Sequence, residues 1–195
     1  MKFLTYFLLS VLLLASCSSN ESQVAELSSD SIFNLTSEWK NQDNKSMQLK
    51  DLRGKTLVVV IIYTSCKTAC PILVGKMKQI ESKIDSKDSE DIEFVLVSLD
   101  PEVDTPERLK KFAKDNAMDG PQWTFLTSNE DDTQEFANVL AVKYKKISPI
   151  DFSHSNIITI FDPNGDLVTQ EEGLEIDVEK IAQTATKTAR DNKRK

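Results

Sequence analysis

The stretch Thr56-Leu-Val-Val-Val-Ile-Ile-Tyr-Thr-Ser-Cys-Lys-Thr-Ala-Cys-Pro71 decides the fold. It opens with an apolar, β-branched run that ends at Tyr63, and such a run is typical of a strand buried on both faces. Cys66 and Cys70 follow at once, and Pro71 suits the first turn of a helix because its missing N–H has no helical partner there. Since helix N-termini stabilise thiolates, the sequence predicts a reactive dithiol where a central strand gives way to a helix.

Further strands and helices follow this stretch. Residues 33–39 and 47–49 flank a polar turn and predict a short N-terminal β-hairpin, while Asp162-Pro-Asn-Gly165 predicts a second hairpin turn. The apolar periodicity predicts strands at 92–99, 123–126, 156–161 and 167–170 and helices at 105–116, 131–142 and 177–188. This order predicts an α/β, thioredoxin-like fold, in which helices flank a central mixed β-sheet.

Composition limits the classes of function. The chain has 195 residues, of which 39% are hydrophobic and 28% charged, and its formal net charge is −7. These values are typical of one globular domain with extensions. The acidic balance argues against a nucleic-acid partner, which needs a clustered basic face, and weakens the case for electrostatic binding to anionic lipid.

The N-terminus predicts the compartment. Lys2 and the apolar residues 3–14 form a signal-peptide pattern too short to span a bilayer. Leu14-Ala-Ser-Cys17 resembles a bacterial lipobox, which would make residues 1–16 a lipoprotein signal peptide and Cys17 a lipidated N-terminus. The alternative is an ordinary signal peptide that contains a cysteine. We therefore expect a lipid anchor in the bacterial cell envelope, with the domain on the exported, periplasmic side.

The rest of the chain divides into three parts on this interpretation. Residues 17–31 are the lipidated cysteine and a flexible tether, 32–188 are the domain, and 189–195 are a charged tail. If Cys17 carries lipid, Cys66 and Cys70 are the only free pair, in a compartment where disulfides persist.

The spacing of this pair permits two kinds of chemistry. With three intervening residues, the two sulfurs project from the same side of a helix, and a Cα separation of roughly 6 Å still permits a disulfide. His154, the only histidine, lies in the polar loop 151–155 before a predicted strand. In a thioredoxin-like sheet that loop lies beside the cysteines. Two thiolates and an imidazole form a soft site that suits copper, whereas a closed zinc site prefers four ligands.

Simpler interpretations remain open at this point. The cysteines can form a plain structural disulfide, and a lone loop histidine is usually just a solvated side chain. Met77 and Met118 are expected to fill the core rather than to bind metal. A peroxidase of the peroxiredoxin kind is disfavoured, because no Pro or Thr precedes Cys66 at the spacings of that pattern.

Three motifs in order resemble the SCO (SenC/PrrC) family of copper-handling, thioredoxin-like proteins. The first is Tyr63-Thr-Ser-Cys-Lys-Thr-Ala-Cys-Pro71, which matches a strand followed by C-x-x-x-C-P. The second is Asp100-Pro-Glu-Val-Asp-Thr-Pro106, which matches D-P-x-x-D-T-P. The third is His154-Ser155, followed by the Asp162–Gly165 turn as a D-x-x-G element. The resemblance covers about residues 30–185.

The resemblance implies a function and a site. It implies that Cys66, Cys70 and His154 bind copper, as Cu(I) or Cu(II), with Asp100 as an outer-shell residue. Family members deliver copper to the binuclear centre of respiratory oxidases or reduce its cysteines, and some act in redox signalling. The chain is thus expected to be a membrane-anchored metallochaperone whose partners are an oxidase copper subunit or another copper protein, and a thiol reductant. The alternative is a thiol–disulfide oxidoreductase or redox sensor without a physiological metal.

The chain departs from the family pattern at two places beside the site. Lys67-Thr68 stands where Pro-Asp is usual, and Ser153 stands where an Asp usually precedes the histidine, with Asp151 two residues earlier. Lys67 is expected to favour the Cys66 thiolate by Coulomb attraction. Loss of the acids is expected to weaken stabilisation of a bound cation.

Overall fold

A computed structural model describes residues 26–148 and 151–194. The predicted signal peptide and the predicted lipidation site at Cys17 lie outside these residues. In the described part of the chain, no helix is long and apolar enough to cross a membrane.

Nine strands and four α-helices are present in the described residues. The strands are β1 (Trp39–Asn41), β2 (Ser46–Met47), β3 (Thr56–Ile62), β4 (Ile92–Ser98), β5 (Trp123–Thr127), β6 (Tyr144–Ser148), β7 (Asp151–His154), β8 (Ile157–Phe161) and β9 (Leu167–Glu172). The helices are α1 (Ala69–Ser82), α2 (Pro106–Asp115), α3 (Glu130–Val139) and α4 (Val178–Asn192).

Seven of the strands form one mixed sheet in the order β2-β1-β5-β4-β3-β8-β9. The three central strands, β5, β4 and β3, run parallel to one another, while β1 and β8 pair with them antiparallel. Every residue of β3 and β4 is buried, as their apolar runs predict for strands covered on both faces. Helices α1 and α4 pack together, α4 also packs on β3 and β4, and α2 packs on β5. The predicted thioredoxin-like α/β fold is confirmed.

The N-terminal hairpin is confirmed but is shorter than the sequence predicts. It consists of β1 and β2, in which Trp39 lies opposite Met47. The residues before it form a single turn of 3-10 helix at Ile32–Asn34 instead of a strand, because the Ser31 hydroxyl accepts the Phe33 N–H and caps that turn.

The ordered packing also extends past both predicted ends of the domain. Ser31 is buried and donates a hydrogen bond to the Asn164 carbonyl in the β8–β9 turn, and Ile32 N–H donates to the Gly165 carbonyl over 3.0 Å. At the other end, α4 continues to Asn192, because Ala189 is buried and Arg190 makes a bidentate pair with Asp88.

The histidine lies in a hairpin, β6–β7, that the sequence does not predict. These two strands form a separate two-stranded sheet in which His154 lies opposite Tyr144. His154 is therefore the last residue of a strand rather than part of a loop. The hairpin was missed because β6 is mostly exposed and rich in lysine, so it has little apolar alternation. Met77 and Met118 are fully buried, as expected of core residues.

The close packing of the N-terminal turn on the β8–β9 turn can be tested at Gly165. This residue has φ +83°, and a Cβ there would lie 2.7 Å from Ser31 Oγ and 2.8 Å from Phe33 Cδ2. We expect Gly165→Ala to lower the free energy of unfolding by about 3 kcal/mol, from backbone strain and overlap together. Equilibrium unfolding in urea measures the loss.

Gly54 is the matched control for this substitution. It has φ +98°, but nothing lies within 4 Å of its added Cβ. Gly54→Ala should therefore cost only the strain, about 1 kcal/mol. Equal losses in the two variants would contradict the close packing of residues 31–33 on the turn.

Candidate functional site

The dithiol lies where β3 gives way to α1, as the sequence predicts. Tyr63 ends the buried strand, residues 64–68 turn outward, and α1 begins at Ala69, so that Cys70 and Pro71 stand in the first helical turn. Thr68, the N-cap residue, makes no side-chain capping hydrogen bond. The Cys66 sulfur caps the helix instead, because it accepts the Cys70 N–H over 3.4 Å. Both thiols are free.

Cys66 is the more acidic of the two thiols. Burial alone raises its pKa, but this effect is outweighed by hydrogen bonds from the Cys70 and Thr68 backbones and from the Cys70 side chain. The pKa of Cys66 is thereby lowered from 9.0 to about 7. Lys67 is exposed, so its charge is screened by solvent and the helix N-terminus gives the better account of the shift.

Cys70 has the opposite character. Its side chain is 2% exposed. Burial raises its pKa well above the usual range, with further contributions from the neighbouring Cys66 and from the charge of Asp104. Near neutral pH the pair therefore consists of one half-buried sulfur that is about half ionised and one protonated, buried sulfur, as in a nucleophile with its resolving thiol.

His154 meets the dithiol from the other side. Its Nε2 lies 3.7 Å from Cys70 Sγ, and its Nδ1 lies 2.9 Å from the Ser155 carbonyl oxygen. Because a carbonyl only accepts, Nδ1 must carry the proton, and the lone pair of Nε2 faces the sulfur, where it can accept the Cys70 S–H. Burial lowers the pKa of His154, so the imidazole is neutral at pH 7. The interpretation of His154 as an ordinary solvated residue is wrong.

Tyr63 links the elements that carry the three side chains. Its ring packs edge-on against His154, with centroids 5.9 Å apart, and against Phe152, with centroids 5.1 Å apart. Its hydroxyl donates to the Asp151 carboxylate. Burial and this hydrogen bond raise the pKa of Tyr63 far above its ordinary value. Asp151, displaced from the usual family position, thus reaches the site through Tyr63.

The D-P-x-x-D-T-P segment contains two acids, Asp100 and Asp104, and Asp104 is the one that hydrogen-bonds the loop that carries Cys66. Asp100 is 1% exposed, and burial together with the charge of Asp104 raises its pKa. It lines a cleft of about 280 Å³ with Phe152, two residues from His154. Asp104 instead accepts the N–H of Thr64, in the loop that carries Cys66.

The contacts that Tyr63 and Asp104 make at the site are not predicted by their motifs. A signal for Asp104 was available, because the predicted strands β3 and β4 are parallel and their carboxyl ends share one edge of the sheet. Tyr63 left no such signal, since its partner Asp151 is 88 positions away in the chain.

The three predicted ligand residues fit a soft metal ion by their chemistry. They offer one ionised sulfur, a second sulfur that a metal can deprotonate, and an imidazole nitrogen with its lone pair exposed to the sulfur. Among residues 26–148 and 151–194, however, no three His, Cys, Asp or Glu side chains are already arranged around a common point. A metal ion would have to bring the two sulfurs and the imidazole nitrogen around one point.

Comparisons with known proteins identify the family. A model of the SCO1/SenC family matches residues 26–190. The SCO1 protein homolog of Bacillus subtilis (strain 168) is 29% identical over 140 residues, which are 70% of this chain and 72% of that protein.

Solved structures show the same fold. The copper-bound ScoI of Arabidopsis thaliana superposes with a TM-score of 0.69 at 24% identity, over 79% of this chain and 96% of that one. BsSco is described as a member of the Sco family of cytochrome c oxidase assembly proteins. It superposes with a TM-score of 0.67 at 27% identity, over 78% and 91% of the two chains.

Proposed function

The chain belongs to the SCO1/SenC family, and on that basis we propose that it is a membrane-anchored copper metallochaperone that assists assembly of the copper centre of a respiratory cytochrome oxidase. The observation that carries the proposal is the orientation of His154, whose Nδ1 is held by the Ser155 carbonyl while Nε2 faces the dithiol, 3.7 Å from Cys70 Sγ. Metal-binding histidines in proteins show this arrangement, in which one ring nitrogen is fixed by a carbonyl and the other faces the ion.

Copper is the metal that best suits these donors. Cu(I) prefers soft thiolates, and Cu(II) adds a preference for the imidazole nitrogen. Cys66, Cys70 and His154 would hold the ion as cargo, and Asp100 is a candidate for the outer shell. The copper bound to the Arabidopsis relative and the oxidase-assembly role given for BsSco support this choice of metal and client.

The proposed site of action is the bacterial cell envelope. Cys17 would carry the lipid, residues 18–25 would lead to the folded part, and the domain would face the periplasmic side. Its partners there would be the copper subunit of an oxidase or another copper protein. A thiol reductant would also be needed, because a disulfide between Cys66 and Cys70 cannot bind the ion.

A second candidate is a thiol–disulfide oxidoreductase that needs no metal. The observation in its favour is the contrast between the two thiols, since a pKa of about 7 at Cys66 beside a protonated Cys70 suits attack on a disulfide. In this role the dithiol is oxidised while a client disulfide is reduced, and His154 is not required.

Deletion of the gene, followed by an oxidase assay with and without added copper, separates the two. If the chain is a copper metallochaperone, the deletion strain loses oxidase activity and added copper restores it. A plasmid copy carrying His154→Ala should fail to complement, while Ser153→Ala, an exposed neighbour on the same strand, should succeed. If copper does not restore activity and His154→Ala complements fully, the chain acts as a thiol–disulfide oxidoreductase rather than as a copper chaperone.

A further inference from the structure

A buried carboxylate fastens the loop that carries Cys66. Asp104 is completely buried, and its Oδ2 accepts the Thr64 N–H over 3.0 Å and the Ser98 hydroxyl over 2.6 Å. Its Oδ1 accepts the Thr64 hydroxyl. The loop between β3 and the first cysteine is thus bound to the end of β4 by a charge that is shielded from water.

Arg108 extends this connection from the surface. Its Nε lies 3.5 Å from Asp104 Oδ1 and donates to Thr64 Oγ1 over 2.6 Å, while its Nη2 donates to Ser65 Oγ over 3.0 Å. Thr64 and Ser65 are the whole of the chain between Tyr63 and Cys66. One guanidinium on α2 therefore holds both residues through its fixed fork of donors.

We propose that Asp104 and Arg108 are positioning residues of the dithiol, which hold Thr64 and Ser65 in place and so set the equilibrium between the thiol pair and its disulfide. The inference deepens the proposed function, because it takes Cys66 and Cys70 as the reactive pair. The side-chain hydrogen bonds that both residues make in the described part of the chain lead to the loop and to β4, so both act on the dithiol through the loop.

The direction of the effect follows from the hold on the loop. A fixed loop keeps Cys66 near Cys70, which favours closure of the disulfide ring. Both oxygens of Asp104 accept hydrogen bonds from Thr64, and an amide in the same place offers one acceptor oxygen where the carboxylate offers two. Loss of these bonds, or of the bonds from Arg108, should loosen the loop and make the disulfide easier to reduce.

The test is equilibration of the purified protein with defined mixtures of reduced and oxidised glutathione. The two protein thiols give two electrons and two protons to glutathione disulfide, whose S–S bond breaks as the Cys66–Cys70 bond forms. The oxidised fraction of the protein gives the equilibrium constant. Because copper is absent from the assay, a wild-type protein that failed to bind copper would defeat the proposed function without affecting this measurement.

Three variants separate positioning from general stability. Asp104→Asn keeps the shape but replaces one acceptor oxygen by an NH₂ group, so that the bonds to Thr64 and Ser98 cannot all be kept, and it should lower the constant for disulfide formation about tenfold, or about 30 mV. Arg108→Lys keeps the positive charge but cannot donate to Thr64 and Ser65 at the same time in the geometry of a guanidinium, and it should lower the constant about threefold. Asp43→Asn breaks the exposed pair of Asp43 with Lys110, on the same helix as Arg108, and should leave the constant unchanged.

Each outcome decides the proposal. A folded Asp104→Asn protein, as judged by near-ultraviolet circular dichroism, with a constant within twofold of the wild type would overturn it. If Asp104→Asn does not fold, Arg108→Lys decides, because Arg108 is 46% exposed and can be replaced without opening the core. In that case a constant equal to that of Asp43→Asn would overturn the proposal.

Discussion

Iodoacetamide at pH 7 should modify Cys66 in the reduced protein at least about 50 times faster than Cys70, because only the thiolate reacts. With a pKa of about 7, Cys66 is roughly half ionised at this pH. The pKa of Cys70 lies well above its ordinary value of 9.0, so less than about 1% of that thiol is ionised. Burial of the Cys70 side chain, which is 2% exposed, slows the reagent further.

The dependence of each labelling rate on pH shows whether the pKa of that thiol is lowered or raised. The pKa of Cys66 is lowered, so its rate should rise with pH, reach half its maximum near pH 7 and level off by about pH 8.5. The pKa of Cys70 is raised, so its rate should still be increasing above pH 9. Quenched labelling, followed by mass spectrometry of the two cysteines after proteolysis, gives both rates in one sample.

The unfolded chain is the matched control for this experiment. In concentrated guanidinium chloride, the helix N-terminus and the buried environment are lost, and the two thiols should react at similar rates. Equal rates in the folded protein, or a half-maximum for Cys66 near pH 9, would contradict the arrangement in which Cys66 accepts the N–H groups of the helix start.

Local features of the sequence were enough to predict the fold and the position of the dithiol. The apolar, β-branched run that ends at Tyr63 has no polar face to expose, which is typical of a central strand buried on both faces. Pro71 then restricts the following residues to a helix start. His154 could be placed beside the cysteines only because a thioredoxin-like sheet brings the segment before β8 to the same edge, which is a property of the topology rather than of the residue.

What the sequence did not predict depends on contacts between distant segments. The bond from the Tyr63 hydroxyl to Asp151 and the burial of Asp104 against Thr64 join residues whose own neighbours in the chain do not reveal them. The ends of the domain were misjudged for a similar reason. Residues near Ser31 and Arg190 are polar, and polar residues look like tails until their partners, Asn164 and Asp88, are known.

Replacement of His154 by alanine should have the largest effect on copper. In the wild type, Cu(II) added to the reduced protein without oxygen should produce a sulfur-to-copper charge-transfer band. The imidazole is available for the ion because Nδ1 is fixed on the Ser155 carbonyl and because burial lowers the pKa of His154, which weakens the competition from protons. His154→Ala should weaken the affinity for Cu(II) at least about 100-fold and shift the band, since loss of an outer partner alone costs about 10- to 100-fold.

Ser153→Ala is the control that separates ligation from damage to the strand. Ser153 precedes the histidine in β7 and is exposed, so its replacement should leave the affinity and the charge-transfer band as they are. Competition with a chelator of known affinity measures both variants, and near-ultraviolet circular dichroism reports on the packing of Tyr63 against His154. If His154→Ala kept the spectrum and affinity of the wild type, the imidazole would not be a ligand. The ion would then rest on Cys66 and Cys70 alone, and the bare Nε2 beside Cys70 would have to serve the thiol chemistry instead.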